Sequence, residues 1–235
     1  FKLGDAQLGW VAADRSIQLA EQTEDLTLVG CAARRVAHAL TYTHQSSDAV
    51  TLVRSAADRL APHLARADAA FTSAYGMLLL KGSIAAARMH QAADVRDLQA
   101  EALSVATILG TDRNEHWSAF GATNVRIHQV SALADMHSGG RVIEAARQIA
   151  DADLVQLPRE RRASHLLDVA RGYVQWGRRE EATRTLLDAD QFAPEEVRCR
   201  PTTRRLITDL VHSYPRGSSP PVALTKVARA VGVAI

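Results

Sequence analysis

The chain has 235 residues, 47% apolar and 23% charged, enough to bury a core and stay in solution. Lys and Arg number 28 against 26 Asp and Glu, mixed along the chain; the net charge of +2 excludes the dense basic face of a stand-alone nucleic-acid binder. Aromatics are only 5%, and Ala and Leu carry the apolar load without period-2 runs, so the expected class is all-α.

Helical periodicity predicts helices at about 5–21, 25–43, 46–66, 70–89, 93–109, 119–137, 140–151, 159–176, 179–192, 195–213 and 221–231. In the first, Ala13, Ile17 and Ala20 read as the second helix of a repeat whose first helix is missing or degenerate. Ser46-Ser47-Asp48 and Thr111-Asp112 offer N-cap oxygens. Gly110, Gly139-Gly140 and Gly177 follow helical stretches as C′ residues, and Pro158, Pro194 and Pro201 suit first turns. The stretch 215–221 is a Pro/Gly/Ser hinge. The helix after it, through Leu224, Val227 and Val231, is expected to cap the end of a stack.

Short turns between paired helices point to stacked hairpins, and internal repetition supports them. From Ala163 to Glu196 the small and large positions of a tetratricopeptide repeat hold Leu166, Ala170, Tyr173, Ala182, Leu186, Ala189 and Pro194. Small residues let the two helices approach and large ones fill the holes between them. Ala33, Ala37, Leu40, Ala49, Val53 and Ala56 fit the same template, with Pro62 one place late. Ala86, Met89, Ala102 and Val105 fit weakly. Met136, Ala145, Ile149 and Ala152 fit moderately, with Pro158 one place late. Most starts are spaced more widely than in a regular array. The expected fold is a right-handed superhelix of tetratricopeptide-like hairpins over residues 1–214, with the hinge and capping helix at 215–235.

Several stretches go beyond the template: Trp10-Val11-Ala12-Ala13-Asp14-Arg15, Ala33-Arg34-Arg35-Val36-Ala37-His38, Asp112-Arg113-Asn114-Glu115-His116-Trp117 and Phe120-Gly121-Ala122-Thr123-Asn124-Val125. With Arg161 to Ala170, they resemble the C-terminal tetratricopeptide-like domain of bacterial transcriptional regulators whose front end is a helix-turn-helix of the XRE type. The resemblance implies a repeat domain that senses a small molecule, a peptide or a partner. It also implies DNA contact only through an N-terminal domain absent from this chain, which opens at Phe1 with no initiator Met and contains no helix-turn-helix of its own. A homodimer is expected, because such regulators read paired half-sites.

Candidate ligand-binding residues fall in three places. Arg34, His38 and Tyr42 lie four apart on one helix face, where a guanidinium fork beside two hydrogen-bonding side chains makes a carboxylate-accepting patch; a solvated face is the plain alternative. Trp117 and Phe120 stand in an unusual connection and serve either as a pocket wall or as a plug under a long loop. As a wall they would stack on a ligand that Asn124 and His128 orient, on a stripe continued by Ser131 and Asp135. Arg171 and Gln175 share a face on the last clear repeat and line the far end of a groove, or else are solvated surface.

Cys31 and Cys199 lie far apart and outside metal-ligand spacing, which fits a reduced cytoplasmic compartment. Cys31 reads as a small buried hydrophobe, while Cys199 between Arg198 and Arg200 suits a thiol of lowered pKa if exposed. The nine histidines show no helical clamp, so no metal or other cofactor is expected. No nucleophile elbow or phosphate-cradling loop occurs, no apolar run spans a membrane, and no signal peptide is visible. The leading expectation is therefore a non-enzymatic, effector-sensing regulatory domain. Its rivals are a protein-interaction scaffold with no small-molecule ligand and, more weakly, a repeat protein with an enzymatic pocket.

Overall fold

The computed structural model describes residues 5–215 and 218–234; Arg216 and Gly217 of the expected hinge lie outside them. Among the described residues the chain is all-α, and its one β-type pairing is a bridge between Arg113 and Phe120. It divides into two compact units, residues 5–136 and 137–234.

The first unit holds α1 (Ala6–Glu21), α2 (Leu26–Tyr42), α3 (Ser46–Leu60), α4 (Ala69–Arg88), α5 (Ala92–Leu109) and α6 (Ala122–Asp135). They form two layers. Helix α4 packs on α2 and α6 in its own layer and on α3 and α5 in the other, while α2 also meets α1 and α3. Small residues permit this closeness: Ala37, Ala39, Ala49, Ala85, Ala86, Ala87 and Ala102 are fully buried, with Val53, Leu78, Leu79 and Leu80 filling between them. Gly82 faces Val53 so tightly that an added Cβ would lie 2.7 Å from Cγ1.

Three helix starts are fixed by aspartates. Asp5 accepts from the Leu8 N–H at 2.8 Å, Asp25 from Thr27 at 2.8 Å and Leu28 at 3.2 Å, and Asp68 from Phe71 at 2.8 Å. The expected cap at Ser46-Ser47-Asp48 is not used: Gln45 precedes α3 and makes no side-chain cap bond. Asp112 does act on a helix start, but across the loop, where its Oδ1 accepts from the Thr123 N–H at 3.2 Å. The predicted helix 46–66 ends as α-helix at Leu60, and residues Ala61–Arg66, with Pro62 in their first turn, tighten into a 3-10 turn.

Paired helices are joined by one recurring turn. After α2 the left-handed residue is His44 (φ 65°), and after α4 it is His90 (φ 58°). The following amides, Gln45 and Gln91, reach back to Leu40 and Ala86 carbonyls at 2.8 and 3.0 Å, the Schellman closure.

The second unit holds α7 (Gly139–Arg147), α8 (Asp151–Val155), α9 (Arg159–Gln175), α10 (Arg179–Phe192), α11 (Pro194–Arg198), α12 (Pro201–His212) and α13 (Val222–Ala230). The α9–α10 pair is the segment that fits the repeat template at every place, and Ala170, Ala182, Leu186 and Ala189 are fully buried in it. Gly177 (φ 74°) makes its turn, with the Arg178 N–H donating to Tyr173 at 2.8 Å. Helix α13 packs on α10 and α12 through buried Leu224 and Val227.

Three expectations are corrected here. The predicted helix 140–151 stops at Arg147, and α8 starts afresh at Asp151, so Ile149 and Ala152 do not share a helix with Ala145. Gly139 opens α7 instead of closing a helix, because it lies against α9: a Cβ there would be 2.6 Å from the Gly172 carbonyl. The predicted helix 195–213 also breaks, at Cys199-Arg200, where Pro201 restarts it at N1.

Candidate functional site

The face of α2 that carries Arg34, His38 and Tyr42 is only partly open. Arg34 is buried at 8% exposure, and His38 and Tyr42 are half-buried. Helix α4 supplies a residue that the sequence reading did not include in this set. Lys81 Nζ lies 3.1 Å from His38 Nδ1. An ammonium only donates, so Nδ1 accepts and the ring proton sits on Nε2. The Lys81 charge, then burial, then Arg88 and Arg35 push the His38 pKa down to about 2, so the ring is neutral.

Arg88, at the end of α4, donates through Nη1 to the Thr41 carbonyl at 2.8 Å and through Nε to Asp135 Oδ2 at 3.4 Å. One guanidinium thereby ties the C-terminal ends of α2, α4 and α6. Lys81, Arg88 and Arg35 are positive charges that bear on neutral His38, and Asp135 pairs with Arg88.

Most of the rest of α4 is covered. From residue 71 to residue 87 every side chain is buried except Lys81, which is half-buried. Part of the cover is the connection between α5 and α6. Phe120 is fully buried, and its ring lies so close to Gly76 that a Cβ there would meet Cζ at 1.9 Å. The connection is pinned by the Arg113 N–H to the Phe120 carbonyl at 2.8 Å and the Ala119 N–H to Asn114 Oδ1 at 3.0 Å. His116, Trp117 and Ala119 hold left-handed backbone (φ 47°, 53° and 49°).

Phe120 is thus the plug of the two roles expected for it. Trp117 points away, 84% exposed, so the two rings do not meet around one space. Asn124 and His128 are core residues at 0% and 5% exposure. Asn124 Nδ2 donates to Met77 Sδ and the Ser118 carbonyl, each at 3.4 Å, and His128 Nδ1 lies 2.9 Å from the Asn124 carbonyl. Asp135 serves Arg88, as above. Arg171 and Gln175 stand on α9, where Arg171 Nη1 pairs with Asp168 at 2.9 Å and Gln175 lies beside Gly139. The first two sets belong to the first unit and the third to the second.

Cys31 is half-buried, and burial raises its pKa against the opposing pull of Arg34 and Arg35. Cys199 is exposed, and both flanking guanidiniums are turned to carboxylates, Arg198 onto Asp190 at 2.7 and 2.8 Å and Arg200 onto Glu196. Among the described residues no three His, Cys, Asp or Glu side chains gather as a metal would require, and no helix is long and apolar enough to cross a membrane.

The likeness to known proteins lies in the fold. A crystal structure of nearly identical TPR-like repeats, assigned to a kinesin light chain of Podosopora anserina, superposes with a TM-score of 0.53. It covers 89% of this chain and 97% of its own, at 17% identity. This chain has a tetratricopeptide-like repeat fold. No family model matches the sequence, and no curated protein does.

Proposed function

We propose that the chain is a ligand-responsive interaction domain that captures an acidic peptide segment on the cationic edge formed by Arg34, His38, Tyr42, Lys81 and Arg88. The observation that carries this reading is Lys81 lying 3.1 Å from a neutral His38 across the α2–α4 contact. Two packed helices thereby bring the Lys81 ammonium and the exposed Arg88 guanidinium to one edge, where carboxylates gain charge-assisted hydrogen bonds. An extended occupant fits better than a compact one. Arg34 to Tyr42 alone spans about 12 Å of helix axis.

In this reading the parent protein is a bacterial regulator of the XRE type. It binds DNA through a further N-terminal domain and works as a homodimer. The support is the resemblance carried by the Ala33–His38, Asp112–Trp117 and Phe120–Val125 stretches, together with a repeat fold of the kind that resemblance implies. Ligand occupancy then alters DNA binding only if the peptide prefers one arrangement of the domain over another. A scaffold that holds its acidic partner permanently is the second reading. It is favoured by the tetratricopeptide-like fold itself, whose stacked hairpins offer extended surfaces to partners.

The test is fluorescence anisotropy with a labelled Glu-rich peptide and its Gln-rich counterpart. Saturable binding of the acidic peptide that weakens with salt is expected. Lys81→Met should reduce affinity by about tenfold, the cost of about 1.4 kcal/mol expected for one charge-assisted contact. Equal affinity for both peptides would sink the proposal. A coding sequence upstream of Phe1 without a helix-turn-helix would remove the regulator context while leaving the binding site standing.

A further inference from the structure

A second site stands in the other unit and owes nothing to the cationic edge. Helices α7 and α10 both pack on α9, and the break that starts α8 at Asp151 leaves a cleft of about 520 Å³ beside α9. Small-molecule sites commonly run from about 300 to 1,000 Å³. The lining is aliphatic at Ile143, Leu154, Leu166 and Val169, with the Tyr173 ring alongside.

The polar groups are few and specific. His165 lines the cleft and is buried at 4% exposure, yet its Nδ1 has no hydrogen-bond partner. Two carboxylates border the same space, Asp151 at the start of α8 and Asp188 on α10; neither makes an ion pair among the described residues. Arg147 is the single cation of the lining, so two acids face one base. Burial holds the His165 imidazole neutral, which leaves the balance negative.

We propose that this cleft binds a small amphipathic amine, with an aliphatic or aromatic body on the Leu166–Val169 floor and a protonated nitrogen between Asp151 and Asp188. An anionic head is disfavoured by the same two carboxylates. A neutral head keeps the apolar contacts and loses the ion pairs.

The probes are n-hexylamine, n-hexanol and n-hexanoate, each titrated into the whole chain by calorimetry and by thermal shift. Hexylamine should bind most tightly and raise the melting temperature, with hexanol weaker and hexanoate weakest. The Asp151→Asn/Asp188→Asn double variant alters only cleft-rim acids, both exposed, so the fold should persist, as circular dichroism can verify. It should weaken hexylamine by about tenfold, the scale of two partly exposed ion pairs, and leave hexanol unchanged. Chemical shifts of the His165 ring should move on hexylamine addition. Hexanoate binding as well as hexylamine, unchanged hexylamine affinity in the double variant, or no saturable binding at millimolar amine would each overturn the proposal. Because no residue of the first unit takes part, failure here leaves the acidic-peptide reading untouched, and the reverse holds.

Discussion

Two imidazoles are held neutral in the folded chain for different reasons. At His38 the Lys81 charge comes first and burial second, while at His165 burial acts alone and lowers the pKa from 6.5 to about 4. Between those two values the unfolded chain binds a proton that buried His165 refuses. The stability gained by keeping the ring neutral is complete above pH 6.5, falls as the pH drops, and is gone once the pH passes below about 4. For His165 this amounts to about 3 kcal/mol. Urea melts of wild type and His165→Gln from pH 7 to pH 4 should therefore differ in slope, the variant losing about 3 kcal/mol less over that range. Equal slopes would show that the ring is not refusing the proton. At this scale the sequence was half legible. The i, i+4 spacing of Arg34, His38 and Tyr42 predicts their shared face, because helical geometry is local. Lys81 is 43 residues from His38, and no periodicity states how α2 is set against α4. The one signal was a lone lysine inside an otherwise apolar helix.

At the level of helices and turns, the close approaches are the vulnerable points. Gly76 admits the Phe120 ring, so Gly76→Ala should destabilise by about 1–3 kcal/mol through overpacking. Phe120→Ala should cost about 3–5 kcal/mol through the cavity it leaves. In the double variant the alanine methyl occupies space the ring vacated, so the combined loss should fall short of the sum in denaturant titrations; strict additivity would mean the two residues do not press on each other. Turn chemistry was only partly readable. Gly110 and Gly177 are left-handed, as glycines after helices predict. His44 and His90 take the same backbone with nothing in their identity to announce it. The closure that follows each of them, an amide reaching back to a carbonyl of the last turn, forms whether or not the pivot is glycine. His44→Gly and His90→Gly should each stabilise by about 1 kcal/mol, the strain a side chain brings to that region, measurable as a raised denaturant midpoint. Breaks at residues 148–150 and 199–200 escaped the sequence because apolar spacing continues across them; the proline at 201 was the available cue.

For the molecule as a whole, repetition was legible and its partition was not. The template fits Ala163 to Glu196 at every place and identifies the fold, but it does not announce two cores. One cluster gathers Ala13 through Ala132 and another Leu167 through Val233, with no residue in common. Gly172 faces Val142 so closely that a Cβ would lie 2.4 Å from Cγ1. Gly76→Ala and Gly172→Ala should accordingly lower different transitions in chemical denaturation, one per core. A single transition shifted equally by both variants would show that the chain unfolds as one.

The placement of the tryptophans makes that distinction optical. Trp117 is already 84% exposed, whereas Trp10 and Trp176 are 39% and 46% exposed and stand one in each unit. An indole that starts in water barely shifts its emission on denaturation, so Trp117 contributes a nearly constant, iodide-quenchable background. The spectral change belongs to the other two, and replacing either by phenylalanine turns ordinary protein fluorescence into a gauge of one unit alone.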